Sequence, residues 1–277
     1  MPAFATSNSR SGYPKVLFSD LDRTLLAHNY TIHPRVPLAI EKAREAGLQV
    51  IFTTARAPRS LMNVVGSLGS AELAICFNGG WIGDAAAGKA TTVERLPSDL
   101  AASIMMDSHA RSGNPIWYGE DEILVHAITP SISWQLAKVG EGADVENHFA
   151  ARASGPCKIM CVDRRDKRCF EDLTTRWSAA AVLVQSDQVL LEIVPRSVSK
   201  GAAAKQVMAQ LGLDPADCAA VGDAHNDVSM LDAVAFPCAV ANAVDEVKQR
   251  AIYAGASCDD GGIADVIDWL LAPRWRQ

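Results

Sequence analysis

Aromatic residues make up only 6% of this 277-residue chain, whereas hydrophobic residues as a whole make up 49%. The remaining balance, rich in Ala and Val, suits helices packed on a mostly parallel sheet. No apolar run approaches the length of a membrane-crossing helix, so no membrane association is expected. Positive charge is also scarce: 26 Lys and Arg face 32 Asp and Glu, for a formal net charge of -6. Affinity for a nucleic-acid backbone comes from clustered Lys and Arg, so nucleic acid is not expected as a partner, although an acidic enzyme can still bind phosphates locally. The seven cysteines are odd in number, scattered, and without the paired CxxC spacing of a zinc or redox site. They read as reduced, mostly buried thiols. Residues 1–14 are rich in Ser and small side chains and lack the apolar stretch of a secretory signal; they read as a frayed tail on a cytoplasmic protein. There is no internal repeat or low-complexity tract.

A chain of this length exceeds one average domain without demanding two independent ones, so one domain carrying an insertion is expected. Five short apolar runs have the character of strands buried on both faces of a parallel sheet: 16–18, 48–52, 73–77, 218–221 and 236–240. Helical patterns are expected over 36–46 (before Gly47), 60–68, 200–211 (before Gly212), 227–233 and 245–251. The fold expected is therefore α/β, a doubly wound parallel sheet, in which ligands bind beyond the carboxyl ends of the strands. From about Asp84 to Leu191 the texture changes to hairpin-like strands (91–95, 116–119, 122–126, 158–162, 182–185, 189–193) with helices at 98–110, 132–139 and 167–180. This reads as an inserted α+β domain over 84–194, with the core in 15–83 and 195–277.

The segments after the strands carry the chemistry. Asp20 and Asp22, one residue apart after the first run, can place one side chain and one backbone carbonyl toward a single cation; the pair alone is also compatible with a solvated Asp-rich turn. Thr53-Thr54-Ala55-Arg56 can offer a hydroxyl and amides to a phosphoryl oxygen, or simply cap the next helix. Asn78-Gly79-Gly80 can be a tight turn or a ligand-facing amide. Gly222-Asp223-Ala224-His225-Asn226-Asp227 is more specific: the glycine permits close backbone approach, Asp223 can ligate a cation, and Asn226 with Asp227 can cap a helix while orienting the ligands. His225 reads as a loop residue, because the oxygen donors already suit magnesium better than imidazole does. Lys200 opens a helix, where a cation is unfavourable unless an anion offsets it.

Together these residues resemble the motifs of the haloacid dehalogenase-like hydrolases, particularly their Cof-type sugar-phosphatase branch. Asp20-Leu21-Asp22-Arg23-Thr24 resembles the family's DxDxT motif, Thr54 its second motif, Lys200 its third, and Gly222 to Asp227 its GDxxND fourth. Asn78-Gly79 and Ala241-Asn242-Ala243 are similar to two further family turns, and the insert between the second and third motifs resembles that branch's cap. Arg23 and Ala55 depart from the pattern, standing where glycine is usual. The resemblance implies a phosphoric monoester hydrolase acting on a small phosphorylated metabolite such as a sugar phosphate, with Mg²⁺ as cofactor. It implies Asp20 as nucleophile, Asp22 as acid/base, and metal binding by Asp20, Asp22 and Asp223. Thr54, Lys200, Asn226 and Asn78 would bind phosphate, with Asp227 supporting Lys200 or the metal shell. A sugar phosphomutase or phosphotransferase on the same fold would carry the same motifs. A phospho-receiver shares the acidic cluster, Thr and Lys, but needs neither an acid/base at Asp22 nor a cap. In the insert, Trp117, Tyr118, His126 and Arg152 could face substrate or build the core.

Overall fold

The computed structural model describes residues 13–69, 71–165 and 168–272. Most of the expected tail, residues 1–12, lies outside the described residues, as does Lys167 at the start of one expected helix. The chain forms two compact units, one comprising Met1–Thr54 with Ser199–Gln277 and the other Ala55–Val198.

The first unit opens with β1 (Val16–Ser19), α1 (Arg35–Glu45) and β2 (Gln49–Thr53). The second follows with α2 (Pro58–Val65), β3 (Ala74–Cys76), β4 (Trp81–Asp84), β5 (Lys89–Val93), α3 (Ser98–Ala110), β6 (Pro115–Tyr118) and β7 (Ile123–Val125). It continues through α4 (Pro130–Val139), β8 (Asp144–Val145), β9 (Lys158–Val162), α5 (Arg168–Trp177), β10 (Val182–Asp187) and β11 (Leu190–Val194). The first unit then resumes with α6 (Lys200–Leu211), β12 (Cys218–Gly222), α7 (Val228–Leu231), β13 (Phe236–Val240), α8 (Asp245–Lys248), β14 (Tyr253–Gly255) and α9 (Gly262–Leu270).

In the first unit the strands run in the order β14-β13-β12-β1-β2, and every neighbouring pair is parallel. β1 and β12 are buried along their whole length, which is why they read as unbroken apolar runs. From this central pair the chain winds outward in opposite directions, β1 to β2 one way and β12 to β13 to β14 the other. Right-handed crossovers then place α1 and α7 on opposite faces. The reversal between β1 and β12 is a topological switch point, and the crevice beyond their carboxyl ends is where such a sheet binds ligands.

Helix α6 is fixed at both ends by sequence-local devices. Ser199 accepts from the Ala202 amide (3.0 Å) at the start, and Gly212 closes the helix in the left-handed region (φ 64). Lys200 is thereby its first residue. A Cβ on Gly201 would fall 2.1 Å from the Ser229 carbonyl oxygen, so α6 and α7 pack backbone against backbone.

The second unit pairs β3, β4 and β5 as an antiparallel meander. Its larger sheet has six strands in the order β10-β11-β9-β6-β7-β8, antiparallel except between β7 and β8. Trp117 belongs to its hydrophobic core, 5.4 Å from the Phe149 ring, whereas Tyr118, the next residue of β6, is buried on the opposite face against Phe77 (6.2 Å) and Lys158 (5.0 Å). His126 packs on Phe149 (4.6 Å) and on His109 (4.5 Å), while Arg152 lies over Trp117 and pairs with Glu122 and Glu146. Trp117 and Tyr118 are thus buried, whereas His126 and Arg152 are half-buried.

Candidate active site

Asp20 is the first residue beyond β1. Its amide donates to the Val221 carbonyl (2.9 Å), which extends the β1–β12 pairing by one step and aims the residue into the crevice. Across the switch point Asp223 follows β12, and Thr24 Oγ1 donates to its Oδ1 (3.1 Å). Lys200 Nζ donates both to Asp20 Oδ1 and to Asp227 Oδ1, the latter at 2.6 Å. Asp227 Oδ2 accepts in turn from the amides of Asp223 and Ala224, each at 3.0 Å. One carboxylate thus holds the lysine with one oxygen and the Asp223 loop with the other. All four charged groups are buried.

The remaining expected site residues of the first unit lie on neighbouring segments. Thr54 is fully buried directly after β2. Asp22 and Asn226 are half-buried on the loops that carry Asp20 and Asp223. His225 points away, its Nδ1 2.8 Å from Glu246 Oε2 at the surface. Asn78 lies in the second unit, where its Nδ2 donates to Glu192 Oε2 (2.8 Å). Arg23 adopts a left-handed backbone (φ 62), the conformation for which glycine is usual, whereas Ala55 has no positive φ.

Electrostatics distinguish this cluster from an ordinary ion pair. Burial, then the neighbouring Asp227, push the Asp20 carboxyl well above the usual carboxylate range, with Lys200 pulling the other way. Burial and Asp227 also push Asp223 up to about 6, against the opposing effects of Lys200, Thr24 and Arg23. Burial alone would lower Lys200, but Asp20 and Asp227 outweigh it and hold the ammonium protonated. Three buried carboxylates around one ammonium leave a surplus of negative charge that water cannot solvate.

That surplus is the feature a cation would answer. Asp20, Asp223 and Asp227 each offer an oxygen within 4.8 Å of the others, an oxygen-only donor set suited to a hard divalent ion. Both oxygens of Asp227 already carry hydrogen bonds, so its natural part is to orient Lys200 and the loop. The donor chemistry fits the expected cofactor.

Thr24, to which the sequence alone assigns no role, has its hydroxyl tied to Asp223. Nor does the sequence announce a buried ion pair in the second unit, Lys158 with Glu192 (3.3 Å), whose lysine donates to the Ala55 carbonyl (2.7 Å). Only the fold brings these residues together.

The chain is 27% identical over 291 residues to a 5-amino-6-(5-phospho-D-ribitylamino)uracil phosphatase of Bacillus subtilis, covering 94% of this chain and 99% of that protein. It is 24% identical over 267 residues to an HMP-PP phosphatase of Yersinia pseudotuberculosis, covering 92% and 95%. A solved haloacid dehalogenase-like hydrolase from Bacteroides thetaiotaomicron superposes with a TM-score of 0.84 at 19% identity, over 93% of this chain and all of that one. Residues 17–267, which span β1 through most of α9, match the haloacid dehalogenase-like hydrolase family as a whole, and the chain belongs to that family, in its Cof-type phosphatase branch.

Proposed function

We propose that this phosphatase hydrolyses the phosphate ester of a small metabolite, a sugar phosphate or similar compound, through a covalent phosphate on Asp20. The observation that carries the reading is the single buried cluster joining Asp20, Lys200, Asp227 and Asp223 at the switch point. Carboxylate oxygen of Asp20 bonds to phosphorus as the bond to the leaving oxygen breaks, and Asp22 gives that oxygen its proton. Asp22, now ionised, takes a proton from water as the water oxygen attacks phosphorus; the Asp20–phosphorus bond breaks and inorganic phosphate leaves. Lys200, Thr54 and Asn226 hold the phosphoryl oxygens, and Asp227 fixes Lys200 for that task. Asp20 and Asp223, with the carbonyl of Asp22, are the residues that would hold Mg²⁺. When bound there, Mg²⁺ supplies charge that favours ionised Asp20 and neutralises the phosphoryl group.

The insert over 84–194 is proposed to act as a cap that selects the organic part of the substrate. The two relatives named above act on phosphorylated compounds of different kinds, which supports an insert that varies with substrate. The chemistry is tested by following product and enzyme-bound phosphate together. Asp20→Asn should remain folded yet lose turnover by orders of magnitude and form no phosphoenzyme, whereas Asp22→Asn should slow both half-reactions. Turnover within about tenfold of wild type in Asp20→Asn would remove it as the nucleophile.

A further inference from the structure

The cysteines carry no metal-type spacing in the sequence, yet the first unit sets one of them against two ligating side chains. His28, in the segment between β1 and α1, has its Nδ1 2.9 Å from Asp259 Oδ2 and 3.4 Å from Cys258 Sγ. One ligand atom from each of the three lies within 4.8 Å of the others. Bond lengths of about 2.3 Å to sulfur and about 2.0–2.1 Å to nitrogen or oxygen, at tetrahedral angles, separate N from S by roughly 3.6 Å and N from O by roughly 3.3 Å. The observed distances differ from those values by a few tenths of an ångström.

The three groups are held in place by contacts of the chain itself. Asp259 Oδ1 accepts from the His28 amide (2.9 Å), leaving Oδ2 beside the imidazole. The Cys258 amide donates to Asn242 Oδ1 (2.8 Å), and the turn closes with Gly261 and Gly262 amides donating to Cys258 and Ser257 carbonyls (3.1 and 3.0 Å). Gly261 is left-handed (φ 71), and a Cβ there would fall 2.7 Å from His33 Nδ1. Cys258 is fully buried while the His28 and Asp259 side chains are 50% and 54% exposed, so the fourth side of the cluster opens to solvent.

The donor chemistry then separates this cluster from the catalytic one. A thiolate, an imidazole and a carboxylate form a mixed S, N, O set that favours zinc-type cations, whereas the Asp20 cluster offers oxygen alone. We propose that Cys258, His28 and Asp259 form a second metal site, specific for zinc-type cations, with water as the fourth ligand. On binding, the Cys258 thiol proton passes to solvent and the proton that His28 Nδ1 shares with Asp259 moves through solvent to Nε2; the thiolate, the freed Nδ1 and Asp259 Oδ2 then coordinate, and the hydrogen bond between His28 and Asp259 is replaced by their bonds to the metal. Asn242, which holds the Cys258 amide, also donates to the Arg23 carbonyl (2.8 Å), so a cation here would stiffen the loop that carries Asp22.

The test is titration of metal-stripped, full-length protein with Co²⁺ alone in saturating Mg²⁺. A thiolate-to-cobalt charge-transfer absorption should appear with one equivalent, be displaced by Zn²⁺, and persist in Asp20→Asn. It should vanish in Cys258→Ser and require more than about tenfold more Co²⁺ in His28→Gln, since losing even an outer partner of a ligand costs about that much. His28→Gln alters a half-exposed side chain and keeps the test valid should the buried Cys258→Ser fail to fold. No charge-transfer band in the wild type, a band surviving in folded Cys258→Ser, or unchanged cobalt affinity in His28→Gln would overturn the assignment.

Discussion

Gly222→Ala should be far more damaging than the addition of one methyl group suggests. Gly222 ends β12, and a Cβ built on it would fall 2.4 Å from Asp227 Cγ, 2.5 Å from its Cβ and 2.6 Å from its Oδ2. No real packing tolerates such contacts, so either the strand end or the Asp227 carboxylate must move. The carboxylate is what gives way least cheaply: it accepts from Lys200 at 2.6 Å and from the Asp223 and Ala224 amides at 3.0 Å each. Overpacking alone costs about 1–3 kcal/mol, and hydrogen bonds to a charged group are worth about 1.5–3 kcal/mol each, though not additively. Pulling Asp227 from its buried partners therefore implies a loss of about 3–5 kcal/mol, the range found when one member of a buried ion pair is removed. Against a typical total of about 5–15 kcal/mol this is a large fraction. Urea unfolding measures it, and turnover of a small activated aryl phosphate should fall with it, because Lys200 and Asp223 both lose their support. The decisive control is the same substitution in an Asp227→Gly background, where the clashing atoms are gone and Gly222→Ala should cost under about 1 kcal/mol. An equal cost in both backgrounds, or a fully active and stable single variant, would refute the steric argument.

Metal-free protein should gain stability as pH falls from about 7 toward 5. The Asp223 carboxyl, pushed up to about 6 in the fold from 3.8, takes up its proton more readily folded than unfolded, so the folded state binds more protons across that window. Thermal melts at the two pH values check the sign. Mg²⁺ should reverse the trend, raising Tm more at the higher pH, where the carboxylates are free to bind it. Chelation should abolish turnover and Mg²⁺ restore it, whereas Ca²⁺, with longer and looser coordination, should support little; steady-state assays after dialysis decide this. Arg23→Gly should stabilise the chain by under about 1 kcal/mol, as relief of the left-handed backbone, about 1–2 kcal/mol, is partly offset by glycine's entropy, about 0.5–1 kcal/mol. A lower urea midpoint in that variant would mean that the guanidinium's own interactions outweigh the backbone strain.

The distance over which a feature is determined explains what the sequence disclosed. β9, β13, α3 and α6 lie where their apolar runs, periodicity and caps place them, because those signals act within a few residues; α6 has both Ser199 at its start and Gly212 at its end. β14 and α9 were not anticipated. β14 has only three residues, and α9 begins after Gly261 in the left-handed region, where no Ser, Thr, Asp or Asn side chain announces a helix. Part of the candidate cluster was legible for a related reason: Asp20 and Asp223 directly follow strands that can be read locally. The apparent misplacement of Lys200 at a helix start was itself a usable signal, since it called for an anion, and the structure supplies two in Asp20 and Asp227. The pairing of His28 with Cys258 spans 230 positions, and that of Lys158 with Glu192 joins two strands of the second unit. Such partners are chosen by sheet order and register, which no local period specifies. Residues of this kind are therefore where a sequence and its fold disagree most about function, and titrating the His28 cluster with cobalt tests that directly: it asks for chemistry that the spacing of the cysteines, taken alone, would exclude.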